Sequence, residues 1–399
     1  MQKSISFFLF VFVLIIVALQ STYFFYLWDV KSSYINMFCL IMSILFTKRT
    51  NTNIVYIIVS LLLLFVSLLW GTELHIPIDE IIICGIIYNL LSLSDIDKQI
   101  IINIWTYCLG IILSLSLVGY LLIPLGLLPN LGVISYGSGA YYYMNYGITI
   151  ALIDNYASIP RFNSLFLEPG HVAMISCFTL FLNKYDFSKK RLWMIAIPLL
   201  FTLSLAGYVI GFWGYVLYVS STNKISKIIK YIVYTFLVAY VFWIGARTYN
   251  GGHNIINEVI IERLTFDEDK GIVGNNRFHG YVDQDFDKYL SDGTLLYGLG
   301  YEKFTENVAN GGYSGAGYKM FMLKRGILGT IFIFLFYFML CRMASNRRFC
   351  YGFLGMFILT FLQRAYPFML SWLILFALAV RSSRDNKLDS EEKRLDNKF

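Results

Sequence analysis

Arg161 and Glu168 frame the segment Arg-Phe-Asn-Ser-Leu-Phe-Leu-Glu-Pro-Gly-His over 161–171. A guanidinium grips phosphate oxygens as a planar fork, and a carboxylate can take or orient a proton. Together they could serve binding or acid–base chemistry. The segment runs from a polar stretch into a long apolar one, where charge is costly unless it binds or reacts with something. A plainer reading is also open. Pro169 is at home in the first turn of a helix, Glu168 would then cap that helix at its positive end, and Arg161 would snorkel at an interface. His171, just inside the helix, is either a base or a hydrogen-bonded polar group.

Other residues offer related chemistry. Asn275-Asn276-Arg277-Phe278-His279 sets an amide, a cation and an imidazole side by side, with a solvated basic face as the alternative for Arg277. Arg364 lies in a short connection between apolar stretches, as a phosphate contact or a snorkelling anchor. Tyr141, Tyr142, Tyr143 and Tyr146 could stack on sugar rings or form an interfacial belt. Asp79 and Glu80 open an apolar stretch, where helix capping is favoured over a proton relay. Asp283, Asp285 and Asp287 alternate, but a calcium loop needs glycine after the third aspartate and Lys288 stands there. The Asp-x-Asp of nucleotide-sugar transferases needs a nucleotide fold, and the surrounding stretch has no βαβ pattern. The sequence contains no Gly-rich phosphate loop, zinc spacing or nucleophile elbow, so neither metal nor cofactor is expected.

The elements that must position these residues are apolar. Only 14% of the 399 residues are charged and mean hydropathy is +0.62. A soluble domain carries about 25% charged residues, so the chain is expected to be an all-α polytopic membrane protein. Stretches near the roughly 20 residues that cross a bilayer fall at 5–27, 33–46, 54–70, 77–93, 100–122, 166–183, 231–246, 318–341, 349–362 and 366–380. The first is too long for a signal-peptide core and reads as a retained helix. The stretch 192–220 breaks at Ser204-Leu205-Ala206-Gly207. Lys184, Lys189, Lys190 and Arg191 precede it and Lys224, Lys227 and Lys230 follow it, so both ends belong on the cytoplasmic side and the stretch must be a hairpin.

About twelve transmembrane helices result, with both termini cytoplasmic and two long loops outside. Five helices occupy 1–122, the first outer loop 123–165, and four helices including the short broken hairpin 166–246. The second outer loop is 247–316, three C-terminal helices fill 317–380, and 381–399 is a charged cytoplasmic tail. Ile255, Ile256, Val259, Ile260 and Leu264 recur at helical spacing and predict an amphipathic helix over 254–266. The net charge of +7 is mostly a topology signal and not a footprint for nucleic acid. The six cysteines lie in or beside apolar stretches and read as free thiols.

In this layout the chain resembles the bacterial O-antigen polymerase family (Wzy-type) and the related O-antigen ligases. An Arg-x-x-(Gly/Ser)-x-Phe-x-Glu-Pro-like stretch entering the helix after the first long loop is matched by Arg161, Ser164, Phe166, Glu168 and Pro169. The broken hairpin reads Leu203-Ser204-Leu205-Ala206-Gly207, with the family's serine and without its arginine. Gly326-Ile327-Leu328-Gly329 matches a Gly-Ile-x-Gly run after the second loop, while Tyr313 and Ser314 stand where a histidine is usual. The likeness covers the whole layout through short motifs.

The resemblance implies a membrane glycosyltransferase of the bacterial inner (cytoplasmic) membrane, acting in O-antigen, capsule or exopolysaccharide synthesis. It would transfer an undecaprenyl-diphosphate-linked glycan onto the next lipid-linked repeat unit at the periplasmic face. Its partners would be those lipid-linked oligosaccharides and the membrane, with room for a chain-length regulator and none for nucleic acid. Catalytic candidates are then Glu168, Arg161, Arg277, His171 and His279, and substrate-binding candidates are Arg364, Ser204, Tyr142 and Asn276. A ligase passing the glycan to a lipid A core is the near alternative, and the absent arginine and histidine lean towards the polymerase. A lipid-linked sugar flippase is the alternative of another class. Transporters place ionisable groups near the bilayer midplane and often carry inverted repeats, whereas here the charges gather at one face.

Overall fold

A computed structural model describes residues 5–47, 54–68, 78–136, 141–153, 161–222, 280–310, 317–364 and 369–381, with scattered positions between 233 and 272. The molecule is mostly helical, and the helices stand where the apolar stretches predict them. They are α1 (Ile5–Ser21), α2 (Ser32–Phe46), α3 (Ile54–Leu68), α4 (Ile78–Leu91) and α5 (Asp95–Leu122). After the first long loop come α6 (Pro169–Leu182), α7 (Lys190–Phe201) and α8 (Leu205–Thr222). Described positions between Val233 and Thr248 are helical too. Among the described residues two helices are long and apolar enough to cross a membrane: α5, and the Tyr318–Met343 helix after the second loop. The other apolar helices are shorter.

The stretch around Ser204 is a hairpin of two helices. Thr202 Oγ1 donates to Leu199 O (2.7 Å), Leu203 turns through φ 46°, and the Gly207 amide donates to Ser204 Oγ (3.3 Å), capping α8. The missing side chain at Gly207 lets α8 lie hard against α6, since a Cβ there would sit 2.4 Å from Ala173 Cβ. Cys177 Sγ lies 3.2 Å from Gly207 O. These contacts, with Gly211 beside Cys177, run α6 and α8 parallel from one end of the bundle. At the opposite end Arg191 donates to Asn103 Oδ1 (2.8 Å) and Gly110 packs on Met194, so α5 and α7 rise together.

The long loops add short strands to this mostly helical molecule. The first carries an antiparallel three-stranded sheet of β1 (Val133–Tyr136), β2 (Tyr141–Asn145) and β3 (Ile150–Leu152). Tyr136 pairs with Tyr141 and Tyr143 with Leu152. Tyr, Val and Ile suit a half-buried pleat, and successive side chains point to opposite faces. Tyr143 is therefore buried while Tyr142 and Met144 face outward. The second loop holds a short pair, β4 (Phe266–Asp267) and β5 (Gly271–Ile272). Most of the predicted 254–266 helix lies outside the described residues, and Phe266 at its end is in a strand. Two helices with no counterpart in the sequence reading follow, α9 (Gly280–Ser291) and α10 (Tyr301–Ala309).

Val282, Tyr289, Leu295, Phe304 and Leu323 close a small apolar cluster between those helices and α11 (Tyr318–Met343). α11 breaks at Gly326 (φ 75°), where the chain at Leu296–Gly298 crosses it. A Cβ at Gly326 would lie 2.5 Å from Leu296 O, so only glycine fits. The last helices are α12 (Arg347–Gln363) and α13 (Leu370–Ala379).

Candidate functional site

Residues 161–168 form an irregular plug in the end of the bundle where α6 begins. Phe162, Asn163, Ser164, Leu165, Phe166 and Leu167 are all buried. Asn163 Nδ2 donates to Phe166 O (2.9 Å), and the Phe25 amide donates to Leu165 O (2.7 Å), tying the plug to the α1–α2 connection. Ser164 turns through φ 54°, a conformation glycine adopts at less cost, and its carbonyl accepts from the Ile150 amide of β3 (2.9 Å). Sheet, plug and helix α6 therefore share one framework.

Glu168 occupies the position before α6 with Pro169 as the first helical residue, as the sequence predicts, but its side chain does not cap the helix. The carboxylate reaches across to Arg364, forming an ion pair between Oε2 and Nη2. Arg364 terminates α12 and is 9% exposed, so the snorkelling reading gives way to a buried pairing. The guanidinium lies over Gly170. A Cβ there would be 3.4 Å from Arg364 Nη2, so the cation rests on the first turn of α6 in ordinary contact. The other carboxylate oxygen, Oε1, lies 3.5 Å from the Tyr141 hydroxyl.

Aromatic rings complete the surroundings. Tyr143 donates to Leu167 O (2.6 Å), and burial pushes its hydroxyl pKa well up. The Tyr23 ring stands 5.2 Å from the His171 ring. Tyr23 also has a raised pKa, chiefly from burial; the Arg364 guanidinium opposes the rise and the Glu168 carboxylate adds to it. Its hydroxyl is thus within electrostatic reach of both members of the pair.

Glu168, Arg364 and His171 are brought to one place. Arg161 is half-buried at the head of the same plug. His171 is 3% exposed and lies against Tyr23. Ser204 is occupied in capping α8. Tyr142 faces the opposite side of β2 from Tyr141, so the alternation selects Tyr141 as the tyrosine beside the carboxylate. Asn276, Arg277 and His279 lie outside the described residues, as do Tyr313 and Ser314. Asp283 forms an ion pair with Lys319 (2.5 Å), and Glu80 faces Arg325 (3.8 Å). Sequence reasoning passed over Tyr23, because it stands in no motif that signals its neighbours.

A guanidinium beside the positive start of a helix is suited to an anion. A nearby carboxylate oxygen with a tyrosine hydroxyl can orient or accept a proton. No family model, no curated protein and no solved structure matches the chain.

Proposed function

We propose that the chain is a membrane glycosyltransferase that polymerises polysaccharide at the outer face of the bacterial cytoplasmic membrane. It passes a growing glycan from undecaprenyl diphosphate onto the next lipid-linked repeat unit. The observation that carries this reading is the Glu168–Arg364 pair at the entry to α6, set among tyrosines in a chain of apolar helices. The resemblance of 161–169 to the polymerase stretch supports it. So does the distribution of charge, with Lys184, Lys189, Lys190 and Arg191 at the end of the bundle away from the pair.

In the transfer, the acceptor hydroxyl attacks the anomeric carbon of the donor sugar. The bond from that carbon to the diphosphate oxygen breaks, and the lipid diphosphate leaves with the electron pair. Arg364 is the group for the developing diphosphate charge, and Glu168 holds it in place. Glu168 Oε1, beside the Tyr141 hydroxyl, is the atom placed to receive the acceptor's proton. Arg161 is a second cation on the same plug.

The test is Arg364→Lys and Glu168→Gln, scored by the length of surface glycan. Both should reduce it to single repeat units, because a lysine cannot reproduce the planar fork. Full-length polymer in both variants would refute the assignment. Lipid-linked polymer that accumulates without reaching lipid A would mark a ligase instead.

A further inference from the structure

Helix α1 ends in a left-handed turn. The Tyr23 amide donates to Gln20 O (3.1 Å) and the Phe24 amide to Leu19 O (3.2 Å), with Tyr23 at φ 60°. Glycine takes this position in most helices that end so, because a side chain there meets its own backbone. A bulky aromatic at such an angle is a strained choice, and strain of this kind gathers at functional sites. Here it sets the Tyr23 ring 5.2 Å from the ring of His171, in the first turn of the helix that Glu168 precedes, and leaves the residue 36% exposed.

Two further rings extend the surface. Tyr136 at the end of β1 meets Tyr23 edge-on at 6.1 Å, and Trp28 lies 4.8 Å from Tyr136. The Trp28 indole N–H donates to Tyr23 O (2.8 Å), which fixes the indole plane relative to the strained turn. Trp28 also packs on Tyr143 at 5.5 Å, whose hydroxyl anchors the residue before Glu168. Trp28 and Tyr136 are both partly exposed. Aromatic faces carry the negative side of a quadrupole and attract the C–H face of a sugar ring.

We infer that Tyr23, Trp28 and Tyr136 form a carbohydrate subsite that holds the first sugar ring of the lipid-diphosphate substrate beside the Glu168–Arg364 pair. This rests on the function proposed above. Tyr23 is then a specificity residue, and its ring, not its hydroxyl, makes the contact.

The experiment uses the full chain in nanodiscs, titrated calorimetrically with farnesyl diphosphate and with farnesyl diphospho-N-acetylglucosamine. The wild type should bind the sugar-bearing compound about tenfold more tightly than the bare diphosphate. Tyr23→Gly and Tyr136→Leu should bring that ratio close to one, and Tyr23→Phe should keep it. Tyr23→Gly should also melt no lower than the wild type, because it relieves the left-handed turn. A ratio unchanged in both Tyr23→Gly and Tyr136→Leu overturns the subsite. A wild type that binds both compounds equally overturns it while leaving the diphosphate reading intact. A wild type that binds neither overturns the proposed function itself.

Discussion

At the end of the bundle where α4, α5 and α13 meet, the Lys98 ammonium is fully buried and donates to Leu91 O (3.1 Å) and Val380 O (2.9 Å). At the end where α6 and α12 meet, buried Arg364 pairs with a Glu168 whose side chain is still 24% exposed. Leu91 is the last residue of α4 and Val380 follows the last of α13, so Lys98 satisfies carbonyls at the negative ends of two helices. Arg381 donates in turn to Asp95 O (2.6 Å). Lys98 and one nitrogen of Arg381 at this end are held by backbone carbonyls and staple helices together. Arg364 at the other end is met by a carboxylate side chain, beside tyrosine hydroxyls and partly open to solvent. Backbone partners cannot move without unfolding, whereas a side-chain pair can exchange one anion for another. The second arrangement is the one suited to a substrate.

The sharpest way to break this comparison is to reverse the open pair. Glu168→Arg combined with Arg364→Glu should restore much of the folding stability that either single change removes, yet leave surface glycan at single repeat units, because the cation has left the end of α12. Wild-type polymer in the double variant would mean that the pair is structural, like its counterpart at the far end. Lys98→Met should behave in the opposite sense. Each helix-end carbonyl left unsatisfied costs about 1–3 kcal/mol, read as a lower melting temperature in detergent, while polymer length per folded molecule stays full.

Gly207→Val tests the packing that joins the two ends. A Cβ there meets Ala173 at 2.4 Å, and overpacking of this kind costs about 1–3 kcal/mol. The melting temperature should fall, and polymer length should shorten only if α6 shifts Glu168.

The smallest effect is at the stapled end, in the turn between α6 and α7. The Ser188 hydroxyl donates to Asp186 Oδ1 (2.6 Å) and, with Lys189 adding to the effect, holds the Asp186 carboxyl below its usual pKa. A depressed folded-state pKa adds stability that is present above the unfolded value of about 3.9 and lost as pH falls through the folded one. Ser188→Ala should therefore lower neutral stability slightly, leave stability below the folded pKa unchanged, and so flatten the acid limb of a pH–stability curve.

Much of the scaffold was legible because apolar length and charge are local signals. The break at Ser204-Leu205-Ala206-Gly207 lies where α7 has ended and α8 begins. The strands were not predicted, because Tyr-rich alternation over four or five residues is weak beside long apolar stretches. Helix α9 escaped for a related reason: Val282, Phe286 and Tyr289 recur at helical spacing, but the alternating aspartates among them drew attention to metals. Within the site, Glu168 and its proline were identified from their place at the start of a helix, with chemistry and helix capping as the two readings of the glutamate.

By itself the sequence determined where most helices lie, that residues 192–220 double back, and that a glutamate and a proline open α6. Each follows from composition or periodicity over a few turns. Only the tertiary structure decided that Glu168 meets Arg364, 196 residues away, that Tyr141 and not Tyr142 faces the carboxylate, and that a strained Tyr23 leans over His171. The reason is physical. Local backbone preferences are written in neighbouring residues, while the partner of a buried charge is set by which helix ends and strand faces pack together, and that is a property of the whole bundle.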